Sequence, residues 1–477
     1  MFADAVNTAF KFPNLFRRIF GEGAMSSVFV PIYTQELVTS EQKAARFASE
    51  IFSLLFISLT ILTLLFQIFM PYLLKVMAPG FVYDNVKYEI SVLLCRITMP
   101  YMLFISMSAL LGGIMNSHKR FASFAFMPVI LNIAVIVFSV LEGDDKAKSI
   151  YVSTGVVVGG IFQFTFMLIA AKNAGIKCSF ASLSSLSKDS YIFLKNMVPA
   201  TIGSSVTQIN LFVSQAIASF APGAISILSY SDRIYQFPLS IIGICFGTVL
   251  LPNLSALYKE QKIEEALTLQ TKAIKLSMLL SFACVGGIIS LAHPIMHVIY
   301  ERGAFTAEDT LKTAQTISIF ALGLPAFITN KVITPVFYAR LDTTTPLKIT
   351  TITILSNIIL NFLLIDKYQH LGIAIGTTIS SWINVGLLVF YCRRNKIKIT
   401  MENIFPFLLK GLLATLLMSI ILYFLCDILK YIIYSDSSLL KFLILLFLVI
   451  TGIKLYFFLC IVMKLISIKE IKQLFKK

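Results

Sequence analysis

Apolar residues gather along this chain in long blocks, each about as long as a bilayer is thick. Windows of about 20 predominantly apolar residues give thirteen candidate spans, near 5–36, 47–70, 90–115, 122–141, 150–171, 192–218, 224–253, 273–297, 313–338, 347–365, 371–392, 403–426 and 439–463. A transmembrane β-barrel would show alternating segments of about ten residues, and that alternation is absent. The polar stretches between blocks are too short for a folded soluble domain. The pattern predicts an all-α polytopic membrane protein with about 13 transmembrane helices.

Composition agrees: 57% of the 477 residues are hydrophobic and 13% are charged, against about 25% charged in soluble proteins. The net charge of +16 would suit nucleic acid, but its distribution points elsewhere. The alternate loops 38–50, 116–121, 172–195, 256–275, 339–348 and 393–402, with the tail from 464, hold about 23 Lys and Arg, and the opposite set holds about 9. This positive-inside bias predicts that the first set and the C-terminus are cytoplasmic. The tail lysines Lys464, Lys469, Lys472, Lys476 and Lys477 then serve as a headgroup anchor, with no nucleic acid as partner. Cys95, Cys178, Cys245, Cys284, Cys392, Cys426 and Cys460 show no metal or redox spacing and read as small packing residues. The N-terminus carries no secretory signal with a cleavage site.

Anchor residues recur at a near-constant offset. Phe12-Pro13 pairs with Phe237-Pro238 at 225, Pro31 with Pro252 at 221, and Pro71 with Pro294 at 223. Gly80 in APGF pairs with Gly303 in RGAF at 223, while Pro100–Pro325 and Asn132–Asn357 both stand at 225. The repeat predicts two six-helix lobes plus two C-terminal helices. The divisions are 1–172 for the N-terminal lobe, 190–393 for the C-terminal lobe, and 403–477 for the final pair and basic tail. Because the second lobe opens with 192–218, subtracting 225 places the first lobe's opening helix before Met1. The first lobe is thus expected to lack its first helix, about 35 residues. With six helices each, the lobes run in the same sense. Transporters built so bind substrate between halves and alternate access by rocking.

Charges inside apolar spans mark candidate chemistry, since one such charge costs about 2.5–3.5 kcal/mol at mid-helix on insertion scales. The segment AFKFPNLFRRIFGEG holds Lys11, Arg17, Arg18 and Glu22. The block 5–36 would run about 48 Å as one helix, and Pro13, Gly21, Gly23 and Pro31 offer places to bend. Arg17 and Arg18 point about 100° apart on a helix. Several cations with few acids suit an anion, and a guanidinium fork suits a pyrophosphate. Glu22 would hold the arginine when the site is empty. The alternative stays open that the arginine snorkels or pairs permanently with Glu22. Asp232-Arg233, in YSDRIYQFP, is either a second-lobe cation for the same anion or a local ion pair. Arg96, Lys331, Lys410 and Lys454 line a cavity or snorkel. Asn210, Asn357, Asn361 and Thr377 are weak candidates for a monovalent cation, interhelical hydrogen bonding being the commoner use. His293 and His297 have i, i+4 spacing but no accompanying acid, so no metal is expected. No phosphate-binding GxxxxGK[ST] loop, GxSxG or HExxH appears, and an enzyme is not expected.

The segments DAVNTAFKFPNLFRRIFGEGAMSSVFVPIY, MAPGF, GGIMNSHKRFASFAFMPVILNI, YSDRIYQFPLSIIGICFGTVLLP, RGAFT and FYARLDTTTPLKI strongly resemble the MurJ (MviN) family of the MOP exporter superfamily. The likeness covers nearly the whole chain, and the first and fourth segments are specific to that family. It implies fourteen transmembrane helices and a flippase that moves lipid II, the undecaprenyl-pyrophosphate-linked peptidoglycan precursor, to the periplasmic leaflet. It implies the bacterial inner membrane, peptidoglycan synthesis and cell shape as context. Arg17 in PNLFRR then matches an essential second-helix arginine and Arg233 in SDR an eighth-helix arginine. Asp4 and Glu22 match acids that matter in the family, Asp232 is the neighbour of Arg233 in the same motif, and all three acids are expected as counter-ions that compete for the arginines and release substrate. Two further arginines of the family's first helix have no counterpart after Met1. The expected drive is the membrane potential or a monovalent cation, without a cofactor. A monomer is expected, and proteins of cell-wall synthesis are candidate partners. Two alternatives are a flippase for another undecaprenyl-pyrophosphate-linked saccharide and a multidrug or cation antiporter of the same superfamily. The antiporter would need a buried acid to attract cations, and the arginine excess argues against it.

Overall fold

The structure, a computed structural model, describes residues 1–18, 28–176, 178–182, 186–340, 342–394 and 404–466, without the side chains of 16, 198–207, 244, 245, 247, 248 and 404. Among the described residues it is all helix and turn. Nine helices among the described residues are long and apolar enough to cross a membrane, and one of them holds two of the expected spans. The three spans left over, 5–36, 192–218 and 224–253, coincide with helices that include undescribed residues.

Two compact units divide the chain, Met1–Ser226 and Ile227–Lys477. The first holds α1 (Phe2–Phe16), α2 (Val30–Thr39), α3 (Glu41–Met77), a 3-10 turn (Pro79–Tyr83), α4 (Asn85–Thr98), α5 (Tyr101–Ser117), α6 (Ala122–Ser139), α7 (Asp145–Asn173) and α8 (Lys188–Ala218). Polar residues in the turns start these helices. Asp84 accepts from the Lys87 amide at 3.0 Å and Asp144 from the Ala147 amide at 2.8 Å. Each supplies an acceptor to donors that the first helical turn leaves unpaired. Within the spans, hydroxyls return to their own backbone, as Ser53 Oγ does to the Ser49 carbonyl at 2.9 Å and Thr60 Oγ1 to the Phe56 carbonyl at 2.7 Å. A polar side chain is thereby satisfied without water. The centre of the unit is α5, buried from Ile105 to Met115, while α6 is exposed over most of its length.

The segment after α7 is fastened to α3. Glu50, 2% exposed, accepts through Oε2 from the Ser187 amide at 2.8 Å and the Ser190 hydroxyl at 2.7 Å, and through Oε1 from Arg46 Nε at 2.8 Å. Beside it Ser49 and Ser53 accept from the amides of Ser179 and Ala181. Phe180 packs on Phe52 and Phe56, and burial pushes the Cys178 thiol up to about 12. α8 therefore starts from an anchored position and packs on α3 and the 3-10 turn within this unit.

The second unit takes most of α9 (Ala224–Lys259), then α10 (Ile263–Tyr300), α11 (Ala307–Tyr338), α12 (Thr344–Arg394), α13 (Ile404–Ile428), the short α14 (Lys430–Ile433) and α15 (Ser438–Val462). A capping box at Thr306 and Asp309 opens α11. α12 is two antiparallel arms, because Gln369 takes φ 48° and ψ −126°. At Gly372 the second arm passes so near the first that a Cβ would lie 2.5 Å from the Leu364 carbonyl, which only glycine permits. This bend matches the sequence boundary between 347–365 and 371–392. The C-terminal pair covers α10: Tyr456 OH donates to the Leu279 carbonyl at 2.9 Å, and Gly286 lets Met418 and Thr415 of α13 close in.

Candidate functional site

α1 buries one face and offers the other. Asp4, Ala5, Thr8, Ala9 and Phe12 recur at helical spacing and are buried, while Lys11, Asn14, Arg17 and Arg18 lie half-buried on the opposite flank. Arg17 is the C-cap of α1. Its Nε donates to Asn14 Oδ1 at 3.1 Å, and Asn14 Nδ2 donates to the Phe10 carbonyl at 2.8 Å. The amide thus turns the guanidinium from one turn below. Glu22 lies outside the described residues.

Asp4 has other company. It is 1% exposed, and its Oδ2 is 2.8 Å from Lys87 Nζ, itself 4.1 Å above the centre of the Phe81 ring. Its oxygens also accept from the Gly223 amide at 3.1 Å and from the Ser226 amide and hydroxyl at 2.9 and 2.6 Å. A carboxylate at those amides both caps the helix that follows and meets its positive end.

In the second unit, Ser231 and Tyr235 form the buried side of α9. Ser231 Oγ donates to the Thr313 carbonyl at 3.2 Å, and Tyr235 packs on Phe320 with centroids 4.9 Å apart. Arg233, two residues from each, points the other way and is exposed. No carboxylate lies within ion-pair distance of it among the described residues. Asp232 is half-buried and accepts a hydrogen bond from Gln236, one turn along.

Asn357, Asn361 and Thr377 come together between the arms of α12. Asn361 Nδ2 donates to Asn357 Oδ1 at 3.2 Å, and Asn357 Nδ2 to Thr377 Oγ1 at 3.4 Å. Asn210 lies in α8 of the first unit, half-buried. Arg96, Lys331, Lys410 and Lys454 are all exposed. His293 Nδ1 is 2.8 Å from the Tyr434 hydroxyl, and the pair does have an acid beside it, contrary to the sequence reading: Glu301, one turn on, puts Oε2 2.9 Å from His297 Nδ1. Burial pushes the Glu301 carboxyl up, but hydrogen bonds from Thr310 and His297 outweigh it and hold the group below its ordinary value. Asn14 and Gln236 were missed by sequence reasoning, although their i, i+3 and i, i+4 spacings to the charged residues were visible. Lys87 has no such local signal.

The family model described as lipid II flippase MurJ matches residues 1–445. A protein named probable lipid II flippase MurJ from Rickettsia prowazekii is 48% identical over 465 residues, 97% of this chain and 91% of its own. One of the same name from Rhizobium tropici is 38% identical over 399 residues, 82% of this chain and 75% of its own. The solved structure of lipid II flippase MurJ in an inward closed conformation superposes with a TM-score of 0.78 at 29% identity, over 96% of this chain and 91% of that one. An inward-facing multidrug resistance MATE transporter of the MOP superfamily shares the fold, with a TM-score of 0.68 at 14% identity over 83% and 93% of the chains. The chain belongs to the family described as lipid II flippase MurJ.

Proposed function

We propose that this chain is a transporter, not an enzyme, and that it flips lipid II from the cytoplasmic to the periplasmic leaflet of the inner membrane by alternating access. Family membership along residues 1–445 is the observation that carries this reading. The charge placement supports the finer part. Arg17, turned by Asn14, and Arg233, on the unpacked side of α9, bind the pyrophosphate through their planar forks. Arg18 and Lys11 add positive potential on the same flank of α1. Asp232 and Glu22 compete for the arginines and release the product. Asn357, Asn361 and Asn210 are the monovalent-cation candidates. The membrane potential is the other drive, worth about 2.3 kcal/mol per charge per 100 mV.

The test is exposure of lipid II at the outer leaflet in cells depleted of their own flippase. This chain is expected to restore exposure. Arg17→Ala and Arg233→Ala are each expected to abolish it at normal protein levels. Retained flipping in either variant removes that arginine from the site. If the chain accumulates well but exposes another undecaprenyl-linked saccharide in place of lipid II, the substrate assignment fails.

A further inference from the structure

The apolar flank of the first unit carries a cation that no described side chain neutralises. Arg96, near the end of α4, is exposed, and so are Leu93 one turn before it and Leu64 and Ile68 beside Gln67 on α3. Arg96 Nε donates to the Gln67 carbonyl at 3.1 Å, and Gln67 Nε2 donates to the Arg96 carbonyl at 2.7 Å. This reciprocal pair uses one of the five guanidinium N–H donors. The two terminal nitrogens meet no acceptor or ring among the described residues.

Depth makes this consequential. Arg96 lies about 16 Å along α4 from Asn85, and Gln67 about 12 Å along α3 from Lys75. Both belong to spans of 37 and 33 residues, longer than the hydrocarbon layer is thick, so they lie near its edge on the side of the α3–α4 turn. A lone charge there either snorkels out or acquires an anion. Snorkelling is restrained, because Nε is tied to a backbone carbonyl that cannot follow. The stem already leans toward the N-terminus of α4, hence toward the α3–α4 turn at 78–84. What remains presented to the bilayer is a planar fork whose geometry suits a phosphate.

We propose that Arg96, oriented by Gln67, binds the phosphodiester of a phospholipid in the leaflet that holds the α3–α4 turn, with the acyl chains running on past Leu64 and with Ile68 and Leu93 beside the headgroup end. A carboxylate on a partner's transmembrane helix would satisfy the same fork. Close helix approach in membranes, however, uses small residues, and this flank presents large ones. The proposal does not depend on the flippase reading.

The full chain, delipidated in detergent, is titrated with phosphatidylglycerol and followed by native mass spectrometry and thermal unfolding. The wild type is expected to keep one more lipid than R96Q and to bind it about tenfold more tightly. R96K, which keeps the charge without the fork, falls between. K75Q, at the end of the same flank, leaves that lipid bound. Equal retention by R96Q and the wild type overturns the site, as does equal loss from R96Q and K75Q. If R96Q does not accumulate, R96K decides: binding equal to wild type overturns the role of the fork. A photocrosslinker at Leu93 is expected to capture lipid in membranes, and capture of protein instead overturns the choice of ligand.

Discussion

Asp4 and Asp232 stand near the charged helices of the two units in opposite circumstances. Asp4 is buried with a lysine, two amides and a hydroxyl around its oxygens. Asp232 is half-buried, and its side-chain partners, Tyr235 and Gln236, stand three and four residues along its own helix. A carboxylate with four donors in a dry site cannot leave them without stranding a buried cation, whereas one held only by uncharged partners on its own helix strands none. The difference separates two jobs that sequence alone assigns together. Asp4 holds α4 and residues 223–226 in place, and under the proposed function Asp232 is the acid left to compete for an arginine.

The largest test removes the committed acid. Asp4→Ala leaves Lys87 buried and unpaired, and breaking a buried pair by removing one partner costs about 3–5 kcal/mol. A strong fall in the thermal midpoint, or loss of folded protein on size exclusion, is expected. Replacing both members with apolar residues, Asp4→Leu with Lys87→Met, should recover much of the loss. If Asp4→Ala unfolds like the wild type, the pair is not structural, and Asp4 returns to the same footing as Asp232.

Glu50 asks whether the same rule holds away from the charged flank. Like Asp4 it is buried and saturated with donors, and hydrogen bonds to a charged group contribute about 1.5–3 kcal/mol. Glu50→Gln keeps the shape but turns one acceptor oxygen into a donor that faces other donors. It should destabilise the first unit by about that amount and raise proteolysis within 174–187. Unchanged proteolysis there would mean that Phe180 packing, not the carboxylate, fastens the segment.

What the sequence reveals follows the range of the forces involved. The spans are legible because bilayer thickness demands about 20 apolar residues in a row, a purely local signal. The hairpin in α12 is legible from the polar run Asp366 to His370 between two such blocks. The Gln236 bond to Asp232 and the Asn14 bond to Arg17 lie within one helical turn and were available to spacing arguments. Asp4 with Lys87, and Glu50 with Ser187, join residues 83 and 137 positions apart. No periodicity encodes them, so the burial that makes Asp4 structural could be seen only after folding.

At the available acid the expected effects are small in stability and larger in function. Asp232→Asn keeps an acceptor for Gln236 and strands no cation. Unfolding should shift by no more than about 0.5 kcal/mol, while lipid II exposure changes measurably because the charge beside Arg233 is gone. A stability loss comparable to that of Asp4→Ala would erase the distinction between the two aspartates.

The smallest effect belongs to a carboxylate at the protein's edge. Asp342, in the turn before α12, accepts from the Thr345 amide and the Thr344 hydroxyl, both at 3.0 Å. The Thr345 amide does most to hold its carboxyl below the ordinary value; burial opposes it, and the hydroxyls of Thr345 and Thr344 add to the lowering. A group depressed on folding stabilises above its unfolded pKa, about 3.9 for aspartate, and that contribution is lost as pH falls through the lowered folded value. The thermal midpoint should therefore decline with acidification below about pH 4, less steeply in Asp342→Asn, with near identity of the two proteins at neutral pH. Parallel acid curves would show that the turn holds its shape without the charge. Unlike Asp4, this acid can lose its proton-free form without stranding a buried cation, because its donors are an amide and a hydroxyl beside water.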